Sequence, residues 1–140
     1  MNRSAAYPDV LELIPQRPPM VMIHRLVDTG TNYATTELKV EVQNIFVEKG
    51  LFSDLGVIEN IAQTAAALNG YQALRDGNQV KNGYIGGIKN LQIHALPKVG
   101  ELIRTRVTEE HHVMGASVVS GEMRTGKRLL ARCEMKVFLQ

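Results

Sequence analysis

Leu55-Gly-Val-Ile-Glu-Asn-Ile-Ala-Gln-Thr-Ala-Ala-Ala-Leu-Asn-Gly-Tyr-Gln-Ala-Leu74 is a twenty-residue stretch of helical character that carries one charge, Glu59. Its other residues are aliphatic, small, aromatic or amide-polar, so no charged face holds it at the surface. A helix that is apolar nearly all round belongs inside a protein or a membrane. The stretch is long enough to span a bilayer, but Glu59, Asn60, Gln63, Thr64, Asn69 and Gln72 fall within it. A buried helix of a soluble domain is therefore expected. Burying a lone carboxylate is costly, and such a group raises its pKa or takes up a role. Glu59 is the first candidate for chemistry.

The segments around the helix read as strands. Thr36-Glu-Leu-Lys-Val-Glu-Val42 alternates Leu38, Val40 and Val42 with Glu37, Lys39 and Glu41, the period of an antiparallel strand with one wet face. Met20–Val27 is expected as the preceding strand, with a turn at Asp28–Asn32. After the helix come Tyr84–His94, Glu101–Glu109, Ala116–Arg124 and Leu129–Leu139. They are separated by Pro97–Gly100, a hairpin at His111-His112 and Thr125-Gly126-Lys127. Asp9–Ile14, bounded by Pro8 and Pro15, suits a short opening helix capped by Asp9 or the residue before Pro8. One long helix and five or six strands define an α+β domain in which a twisted antiparallel sheet curls round the helix. A single sheet cannot enclose every side of it, so closure by a second subunit is expected.

Composition narrows the function classes. At 140 residues, residues 1–140 are read as one domain; 21% charged and 44% hydrophobic residues suit a globular chain. The net charge of +2 comes without the basic runs that track nucleic acid. Arg124, Lys127 and Arg128 are read as solvated surface, with an acidic partner as the alternative. Cys133, the single cysteine, excludes an internal disulfide, fits a reducing cytoplasm and alternates with core residues. The opening Met1–Val10 lacks the apolar core of a secretory leader. No histidine has metal-ligand spacing, and dinucleotide, P-loop and Ser-His-Asp patterns are missing, so no cofactor or metal is expected.

The pattern resembles the hotdog fold, and four motifs in register resemble the 3-hydroxyacyl-acyl-carrier-protein dehydratases. They are Leu13-Ile-Pro-Gln-Arg-Pro-Pro-Met20 running into Val21–Asp28; Gly56-Val-Ile-Glu-Asn-Ile-Ala-Gln63; Gly86-Gly-Ile-Lys-Asn-Leu91; and Pro97-x-x-Gly-Glu101. Within that superfamily the Pro-Pro-Met opening, the compact linker before the helix and the Gly-Gly-Ile-Lys-Asn-Leu strand are most similar to the divergent dehydratase-like proteins of aryl polyene and related type II polyketide pathways. The resemblance implies a cytoplasmic protein acting on acyl thioesters of acyl carrier protein or coenzyme A. It also implies a homodimer or higher oligomer, or a heteromer with a second hotdog dehydratase.

In those dehydratases the matched glutamate works with a histidine from a loop before the helix, across the subunit interface. Here that loop reads Asn44-Ile-Phe-Val-Glu-Lys-Gly50, and Ile45 falls where the histidine is expected. The family's Pro-His-Arg is Pro-Gln16-Arg, and a common aspartate is His24.

Eliminating water from a 3-hydroxyacyl thioester requires a base at C2 and an acid at C3. Glu59, its pKa raised by apolar surroundings, is the expected acid/base. Gln63, four residues on, can orient that carboxylate or the substrate hydroxyl. Backbone N–H groups at Leu55 and Gly56 are expected to polarise the thioester carbonyl, with Gly87 of the Gly-Gly strand as a further substrate contact. His24, then His94, are the candidate substitutes for the missing histidine, and the bland reading of each is a satisfied histidine. Met20, Met22, Met114, Met123 and Met135 are read as core filling, with an acyl tunnel as the alternative. Three functions remain open: a dehydratase, a thioesterase in which the helix carboxylate drives attack by water, and a half-catalytic subunit that lends Glu59 or an acyl-binding wall to a histidine-bearing partner.

Overall fold

The computed structural model describes residues 7–139. A single 3-10 turn, Val10–Glu12, opens that span, closed by reciprocal bonds between Asp9 and Glu12. The strands are β1 (Arg25–Thr29), β2 (Tyr33–Lys39), β3 (Val47–Glu48), β4 (Leu51–Phe52), β5 (Gly83–Ile93), β6 (Leu102–Val113), β7 (Ala116–Thr125) and β8 (Arg128–Leu139). One helix, α1 (Asp54–Arg75), lies between β4 and β5 in the chain. Six strands form an antiparallel sheet in the order β1-β2-β6-β7-β8-β5, and β3 and β4 form a separate two-stranded ribbon. Bulges interrupt the pairing at Leu26/Asp28, Ile85/Gly87, Lys89/Gln92, Glu109/His111 and Met123/Arg124. Each bulge adds bend and twist, which lets the sheet curve round α1.

The apolar faces expected from alternation meet inside that curve. Val57, Ile61 and Ala65 of α1 pack with Ile103, Val107, Val119, Met123 and Met135 of the sheet. Gly121 on β7 makes room for this contact, because a Cβ there would lie 2.5 Å from Ile61. A second cluster joins Ala67 and Leu68 to Leu13, Ile14, Ile23, Leu26 and Ala34.

Several boundaries differ from the sequence reading. Met20–His24 is not sheet: the segment crosses α1 as a strap, and the helix's own amides bond the Met20 carbonyl and both backbone groups of Met22. Asn60 Nδ2 donates to the Met22 carbonyl at 2.8 Å, while Gln63 Oε1 accepts from the Met22 N–H at 2.7 Å. Side chains thus replace the ladder a strand would have offered, so hydrophobicity alone could not place the strand start. Val42 lies outside β2 and is 74% exposed. The His111-His112 pair sits within β6, and the hairpin falls at Met114-Gly115, both in the left-handed region. Met114 is 98% exposed at its tip, while Met22, Met123 and Met135 are core. Met1–Ala6, most of the segment read as lacking a leader's apolar core, lie outside the described residues.

Glu37 departs most from its expected wet position. It stands directly opposite Arg25 on β1 and Arg104 on β6, and it is 4% exposed. Arg25 approaches Oε1 at 2.7 Å and Arg104 approaches Oε2 at 2.6 Å. Burial works to raise its pKa, but hydrogen bonds and charge from the two guanidiniums prevail and hold the carboxyl below its ordinary value.

Candidate active site

Ser53 caps α1 and its Oγ accepts from the Gly56 N–H at 3.4 Å; Asp54 Oδ1 accepts from the Leu55 N–H at 2.9 Å. These two N–H groups, expected to face a thioester, are therefore already engaged by side chains of the cap. Leu55 itself is 63% exposed. Gly56 is buried because a Cβ would lie 2.6 Å from the Phe52 ring and 2.8 Å from Phe46. The close approach at Gly56 is made by aromatic core, not by a ligand.

One stripe of α1 stays partly open: Glu59, Ala62, Ala66 and Asn69. With Gln16, Gly83, Tyr84, Ile85, Val137 and Leu139 it lines a groove of about 230 Å³ between the helix and the β5–β8 side of the sheet. The spacing i, i+3, i+7, i+10 puts these four residues on one helical face, and the two alanines leave the room. A wider, polar cleft of about 860 Å³, containing Gln72, Asn78, Gln79 and His112, shares Asn69, Lys81 and Leu139 with the groove.

Glu59 does not stand alone in it. Gln63 Nε2 donates to Glu59 Oε2 at 2.8 Å and to the Met20 carbonyl at 2.8 Å. Its Oε1 takes the Met22 N–H, so both amide hydrogens and the oxygen are committed. Gln63 is fully buried, and with its amide committed in this way it points no free donor into the groove. Below it, Asn60 Oδ1 accepts from Thr105 Oγ1 at 2.5 Å and Thr64 bonds Thr36 at 2.8 Å, which ties this part of α1 to the sheet and strap.

The other candidates fall outside. His24 is on the surface, with Nδ1 accepting from the Lys39 N–H at 3.1 Å and Nε2 3.5 Å from Glu41. It lines a separate apolar hollow with Pro18, Pro19 and Ile23, so the structure does not pair it with Glu59. His94 is exposed, and its N–H donates to the Leu130 carbonyl. His112 reaches Glu109 at 3.3 Å and lines only the polar cleft. Gly87 follows a bulge in β5 with open space about it, beside the groove-lining Gly83 and Ile85. Ile45 is 49% exposed. Among the described residues, no histidine lines the Glu59 groove.

Sequence reasoning passed over Gln16 as a mere departure from Pro-His-Arg. Its side chain lines the groove with Glu59, and its Oε1 is buried without a hydrogen-bond partner. Arg124 meets Glu122 at 3.4 Å beside the exposed Lys127 and Arg128, as a solvated face would. Cys133 is a core thiol, pushed up to about 11 by burial and then by the charge of Glu134. No cluster of three metal-ligand side chains occurs among the described residues, and none of their helices is long and apolar enough to cross a membrane.

Known proteins share this architecture. The 3-hydroxyacyl-[acyl-carrier-protein] dehydratase FabZ of Methylobacterium radiotolerans is 26% identical over 136 residues, covering 93% of this chain and 86% of that protein. The dehydratase heterocomplex ApeI:P from Xenorhabdus doucetiae superposes with a TM-score of 0.91 at 15% identity, over 96% of this chain and 92% of that one. A hypothetical thioesterase with coenzyme A from Streptococcus pneumoniae gives 0.67 at 8% identity, over 83% and 84% of the two chains. These structures establish the hotdog fold. A family model described as ApeP dehydratase matches residues 8–140. The chain belongs to the ApeP-like dehydratase family.

Proposed function

We propose that this protein takes part in eliminating water from 3-hydroxyacyl thioesters carried by acyl carrier protein, in fatty-acid, polyketide or polyene biosynthesis in the cytoplasm. In this reading Glu59 is the general acid, and the base is a histidine supplied by a second hotdog subunit. The observation that carries it is a carboxylate held by Gln63 in a groove that no histidine lines among the described residues. The heterocomplex of a similar fold supports a partner of that kind. The unpaired edge of β5, with exposed Tyr84, Ile88 and Leu91, supplies an uncovered strand for it to meet.

The step balances with these groups. The partner imidazole takes the C2 proton, and the C–H electron pair becomes the C2=C3 bond. The C3–O bond breaks, and the departing oxygen takes the Glu59 proton to leave as water. Proton exchange with solvent resets both residues. A positioned acid or base of this kind contributes roughly 10²–10⁴-fold.

The test is to incubate the protein with a 3-hydroxyacyl carrier-protein substrate, alone and with a histidine-bearing hotdog subunit, and to follow 2-enoyl product and free thiol. Enoyl product only in the presence of both subunits is expected. Product from this chain alone would remove the need for a partner, and free thiol without enoyl product would replace dehydration by hydrolysis.

A further inference from the structure

Two amides of α1 clamp the same residue of the strap. Asn60 Nδ2 donates to the Met22 carbonyl at 2.8 Å, and Gln63 Oε1 accepts from the Met22 N–H at 2.7 Å. A backbone carbonyl can only accept and a backbone N–H can only donate, so neither amide can be turned over. Gln63 then has two hydrogens to place. One goes to the Met20 carbonyl and the other to Glu59 Oε2, each at 2.8 Å. Asn60, fixed in the same way, leaves its oxygen to accept from the Thr105 hydroxyl at 2.5 Å. Thr105, Asn60 and Gln63 are all buried, which keeps water from competing for these bonds.

The arrangement makes the two oxygens of Glu59 unequal. Oε2 faces a donor that has no other orientation, so it accepts in either charge state of the carboxyl. A carboxylic acid has one hydrogen to donate, and on Oε2 that hydrogen would confront the Gln63 N–H. Its place is Oε1. Oε1 bonds none of the described residues and is not among their buried unpaired atoms, so it is accessible, and Glu59 lines the groove.

We infer that the strap backbone, acting through Gln63, confines the exchangeable proton of Glu59 to Oε1, and that Asn60 and Thr105 are positioning residues for that proton. This rests on the reading of Glu59 as the general acid. In the elimination Oε1 gives its proton to the departing C3 oxygen and keeps the O–H electron pair. The charge spreads to Oε2, where the Gln63 donor already stands. One oxygen transfers the proton while the other never leaves its donor. Thr105 is on β6 and is not part of the groove lining, so it acts only through Asn60 and the strap.

The first measurement uses the full chain carrying Glu59→Gln, labelled with nitrogen-15. The substitution puts an oxygen at one end of the side chain and an NH2 at the other, and so reports which end faces Gln63. The new oxygen is expected against Gln63 and the new NH2 in the groove, its hydrogens exchanging with solvent at least about tenfold faster than those of Gln63. New hydrogens as protected as those of Gln63 would overturn the inference, whatever Thr105 does. The second measurement uses the chain assembled with the histidine-bearing subunit. Thr105→Val should lower kcat roughly tenfold with KM within about twofold, less than a full ångström of misplacement costs. Thr105→Ser, which keeps the hydroxyl, should match the parent even where Thr105→Val fails to fold. An unchanged kcat in folded Thr105→Val, or a loss in Thr105→Ser, would overturn the positioning role. Undiminished enoyl formation by Glu59→Gln would instead defeat the acid reading and leave the measured placement of the two oxygens standing.

Discussion

Gln63 and Glu59 are joined by a 2.8 Å hydrogen bond, and the same Gln63 amide also holds two backbone groups of the strap, the Met20 carbonyl and the Met22 N–H. One side chain therefore links the carboxylate to the N-terminal segment, which Asn60 also holds through the Met22 carbonyl. Gln63→Leu should cost stability of about 1–3 kcal/mol for each strap group left unpaired, read as a lower urea midpoint. Dehydration should fall with it. Glu59→Gln should keep the midpoint near that of the parent while lowering enoyl formation by roughly 10²-fold or more. If Gln63→Leu melts like the parent, the strap is held by something else.

Glu37 couples stability to acid. Its folded-state pKa lies below the ordinary 4.5, so between those two values the unfolded chain binds more protons than the native one. The stabilisation is present in full above about pH 4.5 and is lost as pH falls through the depressed folded value. Because the guanidinium ends of Arg25 and Arg104 are more than half exposed, solvent discounts the pair. Glu37→Gln should lower neutral-pH stability by about 1–2 kcal/mol and flatten the decline in acid. Parallel pH profiles for parent and variant would show that other carboxylates dominate.

Gly70 sits in α1 where the helix touches the strap's approach. A Cβ there would lie 2.0 Å from the Leu13 carbonyl oxygen, a backbone atom. Replacing a helical glycine by alanine ordinarily stabilises by about 0.5–1 kcal/mol. Here Gly70→Ala should instead destabilise by about 1–3 kcal/mol, seen as a lower melting temperature. It should also cause earlier proteolysis near Leu13, since Tyr7 packs edge-on to Tyr71 in the same region. A higher melting temperature would mean the contact relaxes freely.

Ala66 forms part of the groove floor beyond Glu59. From Glu59 to Asn69 the helix rises about 15 Å, and between them it contributes only Ala62 and Ala66, with Ile85, Val137 and Leu139 of the sheet in the same lining, a surface that suits an alkyl or polyene chain. Ala66→Phe should therefore lower the turnover of long 3-hydroxyacyl substrates by about tenfold or more relative to four-carbon ones, a loss on the order of the 1.4 kcal/mol that separates decades. Equal effects on both lengths would place the chain elsewhere.

Much of this was legible in the residue order. The nearly uncharged stretch after Leu55 could only be an interior helix, and the alternation around Leu38, Ala131 and Met135 could only be a curved sheet with one wet face, because burial and period act locally. Glu59 and its partner Gln63 followed from helical spacing. The hairpin at Met114-Gly115 did not, since its left-handed residues carry only a weak composition signal beside two histidines. Met20–His24 was mistaken for strand because apolar content cannot tell a ladder from a strap whose backbone is satisfied by side chains forty residues away.

The sequence by itself determined that a lone carboxylate lies on an interior helix, and that the histidine expected at Ile45 is missing. Only the tertiary structure decided what surrounds that carboxylate. It sent His24 to the surface, filled the space at Gly56 with Phe52 and Phe46, and brought Gln16 into the groove with an unpaired oxygen. Those outcomes depend on which distant groups meet across the core, and neither periodicity nor spacing along the chain carries that information.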